Sequence, residues 1–206
     1  YHQNIAYDTF KPKLKTTPKK VIFLTWEELN RLKDYQIPKD KQYLERVRDV
    51  FLFCCFTSLR YSDVRNLKRS DVKSDHIEVT TVKTADSLSI ELNKYSKAIL
   101  EKYKDIHFEN HMVLPVISNQ KMNDYLKEIA AICGIEKTLT YHVARHSCAT
   151  SVLLANGVPI ETVSKILGHT NIRTTQIYAR ITDLKVSGDM EMLAQKLDVP
   201  NRTASR

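Results

Sequence analysis

Residues 141–146 read Tyr-His-Val-Ala-Arg-His. On a helix, His142 lies three positions from Arg145 and four from His146, so the three side chains share a face. Two chemistries suit such a face: a pair of helix-borne metal ligands, or a histidine and an arginine that together grip an anion. The metal pattern H-E-x-x-H has glutamate where this chain has Val143, and its third ligand would have to be His169. His146 reads as packing or hydrogen-bonding behind Arg145. More reactive side chains stand elsewhere. Ile166-Leu167-Gly168-His169-Thr170 is followed, nine residues past the histidine, by Tyr178, and Phe56-Thr57-Ser58-Leu59-Arg60 sets an arginine at the end of an apolar run. A planar guanidinium meets two phosphate oxygens at once, whereas a lysine is a poorer clamp and a better proton donor. A phenol, with its ordinary pKa of ~10, needs neighbouring cations or a base such as His142 to ionise at neutral pH. No cluster of carboxylates stands in the sequence to hold a magnesium ion.

The elements that must position these residues are mostly helical. Thr25 and Glu28 form a capping-box pattern ahead of Leu29 and Leu32, and Pro38 ends that element. From about Lys41 to Ser58, apolar residues recur at spacings of three and four, and Val50-Phe51-Leu52-Phe53-Cys54-Cys55-Phe56 is apolar all round, as a central buried helix requires. Ser62 can cap a short helix through Leu67. The period then changes to two over Ile77–Val82 and Leu88–Leu92, which predicts a hairpin with Lys83 at its tip; Lys73 and Lys94 flank it. Helix returns near Lys94–Tyr103 and Lys121–Cys133, the latter closed by Gly134. Thr140 caps a helix predicted to run to Asn156. Pro159 opens another that Gly168 ends, and a short helix spans Ile172–Tyr178. Met190, Leu193 and Leu197 form a narrow apolar stripe in a last segment.

Composition narrows the function classes. The chain has 206 residues with 32 Lys plus Arg against 24 Asp plus Glu, a net charge of +8. Residues 1–20 carry +4 of that surplus and the tail from Asn201 a further +2, so the folded stretch between is nearly balanced. Lys11–Lys20, with two prolines and no apolar period, reads as an extended basic linker. The four glycines, at 134, 157, 168 and 188, are too scattered for a Walker loop or a dinucleotide turn, which speaks against an ATPase or a nicotinamide enzyme. No apolar run approaches a membrane span, and Cys54, Cys55, Cys133 and Cys148 show neither C-x-x-C pairing nor a disulfide framework, as suits a reducing cytoplasm. The start at Tyr1 reads as that of an internal fragment.

In this order and spacing, Ser58-Leu59-Arg60, His142-x-x-Arg145-His146, Leu167-Gly168-His169 and Tyr178 resemble the catalytic domain of the tyrosine recombinases, or λ-integrase family, over about residues 21–183. The resemblance implies an α+β fold, mainly α with a small antiparallel β-sheet. It implies that Tyr178 is the nucleophile that forms a 3′-phosphotyrosyl link, and that Arg60 and Arg145 clamp the non-bridging oxygens. His142 matches the first position of H-x-x-R, His169 the residue after Leu-Gly, and Lys83 the general acid to the leaving 5′ oxygen. Ser58 stands where the family often has glycine and Asp63 where it often has glutamate. The implied organisation is a remnant of an N-terminal DNA-binding domain with its linker (residues 1–20), a catalytic domain (21–183) and a tail (184–206) exchanged between protomers or packed in cis.

The function so implied is a site-specific recombinase or integrase of a mobile element, needing no metal, ATP or other cofactor. Its partner is double-stranded DNA at a specific site. It would be a monomer in free solution and a homotetramer on DNA, compatible with an accessory DNA-bending protein, in a prokaryotic cytoplasm at the nucleoid and away from membrane. Lacking the rest of its clamp, this fragment is expected to bind DNA weakly. Three alternatives stand beside it: a type IB topoisomerase-like relaxing enzyme, a non-enzymatic basic DNA-binding protein whose binding is only salt-dependent, and a metallohydrolase that a chelator would silence.

Overall fold

The structure, a computed structural model, describes residues 21–82, 87–179 and 190. Helix α1 (Trp26–Asp34) begins at the predicted capping box: Thr25 Oγ1 accepts from Glu28 N–H, and Glu28 returns the bond to Thr25 N–H. Helix α2 (Gln42–Thr57) is the axis of the fold. Every residue from Val47 to Thr57 is buried, and α1, α4 (Lys94–Tyr103), α5 (Asn119–Ile132) and α6 (Tyr141–Ser147) all pack on it. Burial of Phe51 and Phe53, each fully enclosed, stabilises this centre by about 1.5–3 kcal/mol per side chain.

Ahead of α4 in the chain comes the hairpin of β1 (His76–Thr80) and β2 (Ser87–Glu91), antiparallel with Ile77 opposite Ile90 and Val79 opposite Leu88. The apolar alternation was read to Val82, yet the ladder stops at Thr80. Val82 is instead drawn aside, its N–H donating to Asp63 Oδ1 at 3.0 Å. Lys83 lies outside the described residues, as do the linker of residues 1–20 and, Met190 apart, the tail stripe.

Two helix starts differ from expectation. Helix α3 (Tyr61–Asn66) is capped by Arg60, not Ser62, because the Asp63 carboxylate reaches back to the Arg60 N–H at 3.3 Å. Helix α5 begins two residues early, capped by Ser118, whose Oγ accepts from Lys121 N–H. Gly134 closes it with φ +61°, as the sequence predicted.

The helix expected over 140–156 starts at the Thr140 cap but is not uniform. Regular α6 ends at Ser147, a π-helical segment follows (Cys148–Leu153), and a 3-10 turn (Leu154–Asn156) completes it. The cause is side-chain competition for backbone partners. Ser147 Oγ donates to Val143 O and accepts from Leu24 N–H, Ser151 Oγ donates to Leu24 O, and Thr150 Oγ1 donates to His146 O. The segment before α1 is thereby stitched through Leu24 to the end of α6 and to the π-helical segment.

Helix α7 (Ile160–Ile166) ends at Gly168, whose φ of +59° suits a residue without Cβ. The expected helix over 172–178 is two pieces, a 3-10 turn (Ile172–Thr174) and α8 (Gln176–Ala179). Ala149, Leu154, Val163, Leu167 and Tyr178 form a second, smaller core beside the large one around α2. Among the described residues no helix is long and apolar enough to cross a membrane.

Candidate active site at the seam of two cores

Arg145 projects from α6 into the seam between the two cores and is 6% exposed. Its Nη1 donates to Ser58 O at 2.8 Å, its Nη2 donates to Leu167 O, and Nη2 lies 3.2 Å from His169 Nε2. One guanidinium thus satisfies the open carbonyl ends of α2 and α7 together. Burial, and then the nearby charge of Arg60, bring its pKa down to about 10, so it stays a cation at neutral pH.

Ser58 makes this possible by an uncommon conformation. Its φ is +62°, which turns the chain out of α2 toward Arg60 and aims its carbonyl at Arg145. A non-glycine residue is uncommon there; its Oγ compensates by donating to Ile166 O at 3.0 Å. The glycine that the family resemblance leads one to expect at this position therefore has a backbone cause.

His169 follows Gly168, and its placement fixes its tautomer. A guanidinium can only donate, so Nε2 is the acceptor and the proton sits on Nδ1, which donates to Thr175 Oγ1 at 2.9 Å. Burial, Arg145 and Arg60 lower the His169 pKa to about 4, so the ring is neutral. In this arrangement it buttresses Arg145 and joins it to the turn that precedes Tyr178.

Tyr178 is 3% exposed within the smaller core. Burial raises its pKa, while Arg145 and Arg60 oppose that shift. Its hydroxyl lies 2.8 Å from His146 Nδ1, with ring centroids 5.4 Å apart. The sequence reading set His146 behind Arg145; the structure sets it on the phenol. The signal was present in the spacing, since His146 shares a helix face with His142, but a contact across 32 residues is tertiary information. Burial, His142 and Arg145 lower the His146 pKa.

The remaining groups face outward. His142 is exposed, its ring stacked at 28° on that of His146 with centroids 6.4 Å apart. It lines a cleft of about 560 Å³ together with Arg60, Arg145, Asn119 and Asn123. Arg60 sits 3.7 Å from the buried Asp63 carboxylate, which also holds the Val82 N–H immediately before Lys83. Asp63, read from sequence only as a mild departure, thus ties the first arginine to the hairpin. Five of the six predicted side chains surround this seam and cleft, and Lys83 falls outside the described residues. Among the described residues no group of three His, Cys, Asp or Glu side chains could hold a metal ion. His169, the third ligand that the metal pattern would need, has both ring nitrogens engaged by Arg145 and Thr175.

The chain has relatives among known proteins. The phage integrase family matches residues 23–185. The tyrosine recombinase XerD of Listeria monocytogenes is 35% identical over 145 residues, covering 63% of this chain and 48% of its own. The chain spans about half the length of the curated relatives it matches first. The crystal structure of XerA recombinase superposes with a TM-score of 0.68 at 26% identity, over 92% of this chain and 68% of that one. The XerH site-specific recombinase, in a post-cleavage complex with palindromic difH substrate, shares the fold with a TM-score of 0.69 at 18% identity, over 94% and 60%.

Proposed function

The chain belongs to the phage integrase family, and from that premise we propose that it cuts and rejoins double-stranded DNA at a specific site through a phosphotyrosyl intermediate. The observation that carries this reading is the convergence of Arg60, Arg145, His169 and Tyr178 from four separate segments, with both arginines acting on the phenol. Recombinases XerD and XerA among the relatives, and XerH with its DNA, support the same chemistry.

A DNA phosphate seated in the cleft would meet Arg60 and Arg145 at its non-bridging oxygens, where charge builds up in the transition state. The guanidinium of Arg145 is already held by two carbonyls, so little reorganisation accompanies the reaction. His142, exposed at the same cleft, adds a third contact. Tyr178 Oη attacks phosphorus, the bond to the 5′ oxygen breaks, and Lys83 supplies the proton to that oxygen. The phosphotyrosyl bond conserves the energy of the broken linkage, so a 5′-hydroxyl can reseal it without ATP. The basic linker follows the DNA backbone, the tail docks on a neighbouring protomer or packs in cis, and a tetramer assembles on paired sites in the cytoplasm.

The test is a nicked suicide duplex carrying the chain's own site, found by selection from a random-sequence library. The wild-type chain is expected to form an adduct that survives denaturant, and Tyr178→Phe to form none. An undiminished adduct with Tyr178→Phe would refute the nucleophile.

A further inference from the structure

We propose that His146, not His142, accepts the phenolic proton of Tyr178 as the tyrosine attacks, a step that rests on the recombinase reading above. Geometry comes first. The Nδ1–Oη separation of 2.8 Å is within direct proton-transfer reach, and His146 is the imidazole whose ring nitrogen the described structure puts at that oxygen. His142 looks into the cleft beside Arg60 and Arg145, where it can touch phosphate. The two histidines of one helix face thus divide the labour between phosphate and nucleophile.

The surroundings suit an acceptor. His146 is half-buried, and the charged or titratable groups facing it are His142 and Arg145 on its own helix and Tyr178 from α8, with Arg60 and Cys148 acting on that phenol. Burial, His142 and Arg145 disfavour an imidazolium, so the ring rests neutral with one lone pair to offer. Burial likewise keeps the phenol protonated at rest, so the proton is still there to be taken when attack begins. An incoming phosphodiester brings a negative charge that offsets the arginines and raises the basicity of the imidazole at that moment. The base is also held in place: Thr150 Oγ1, in the π-helical segment, donates to the His146 carbonyl at 2.6 Å. A π-bulge beside a reactive residue is a common functional device.

The step balances. A bond forms between Tyr178 Oη and phosphorus, the bond from phosphorus to O5′ breaks, and the Oη proton passes to His146 Nδ1. The departing O5′ takes its proton from Lys83. On resealing, the imidazolium of His146 returns its proton to the leaving phenolate.

His146→Asn keeps an amide near the Nδ1 position but cannot take a proton. Measured as covalent adduct on the suicide duplex, its rate is expected to fall about 10²-fold while a gel shift shows undiminished DNA binding. The wild-type rate should level off above the His146 pKa, whereas the His146→Asn rate should keep rising with pH. His142→Asn should be slower yet retain the levelling. A His146→Asn rate within threefold of wild type, or an unaltered pH profile, overturns the proposal. A second arm needs no DNA and no folded variant: long-range proton–nitrogen spectra of the wild-type chain should show Nδ1 of His146 unprotonated at pH 7, and a neutral ring protonated at Nδ1 overturns it. Failure of the wild-type chain to form any adduct overturns the recombinase reading itself. That is distinct from a cleaving wild type matched by His146→Asn, which removes only the role of His146.

Discussion

The two cores of this molecule are built to different standards. The larger surrounds α2, whose Phe51 and Phe53 are fully buried, and is sealed by buried apolar side chains from α1, α4, α5 and α6. The smaller comprises five buried side chains from the π-helical segment, the 3-10 turn after it, α7 with its C-cap Leu167, and α8, and one of the five is Tyr178 itself. The seam between them is polar: Arg145 bonds to the end of each, and Ser58 Oγ adds a second stitch to Ile166 O. The proposed phosphate clamp is therefore carried by elements packed on the larger core, and the proposed nucleophile belongs to the smaller one. Segments with few buried contacts supply the mobile parts of a protein, and that placement suits the attack on phosphorus proposed for Tyr178.

Substitutions should separate the two bodies. Phe51→Ala, in the centre of the large core, is expected to cost about 4 kcal/mol in urea unfolding; a cost below about 1 kcal/mol would remove the large core's primacy. Leu167→Ala should cost about 2 kcal/mol, felt chiefly as faster amide exchange over residues 172–179. Equal acceleration throughout α2 would mean that the cores open as one. At the seam, Arg145→Lys retains charge but loses the fork that spans Ser58 O, Leu167 O and His169. Adduct formation should fall about 10²-fold, and a lysine that cleaves like the wild type would show that charge alone suffices.

Acid should loosen the seam. His169 has a folded pKa of about 4 against an ordinary 6.5, so between those values the unfolded chain takes up a proton that the folded chain refuses. Its contribution is complete above pH 6.5 and is lost as pH falls toward 4. Urea midpoints at pH 7 and pH 5 read this directly, and His169→Asn should flatten the difference. The smallest effect concerns Ser58. Gly relieves the positive φ and Ala does not, so with the Ile166 hydrogen bond removed in both, Ser58→Gly should exceed Ser58→Ala in stability by about 1 kcal/mol.

Much of this was legible in the residues. The Thr25 box, the all-apolar face of α2, the strand alternation and the glycines at 134 and 168 are local signals, and each element formed near its predicted place. Of the motif residues, Arg60 caps a helix and His169 follows one, so a short turn aims each, while Arg145 and Tyr178 are carried by short helices and Lys83 lies outside the described residues. What escaped was non-local. No period reveals that Asp63 would hold both Arg60 and Val82, or that Ser147, Thr150 and Ser151 would turn a regular helix into a π-helical one. The partner of His146 lies on another helix, and only packing brings it there.

The central claim is that Tyr178 is the atom-bearing link to DNA. Protease digestion of the covalent adduct, followed by mass spectrometry of the peptide–nucleotide product, tests it most directly. The account predicts one modified peptide, containing Tyr178, joined through its phenol to a 3′-phosphate. A modification at any other residue, or a 5′-phosphate linkage, would contradict it.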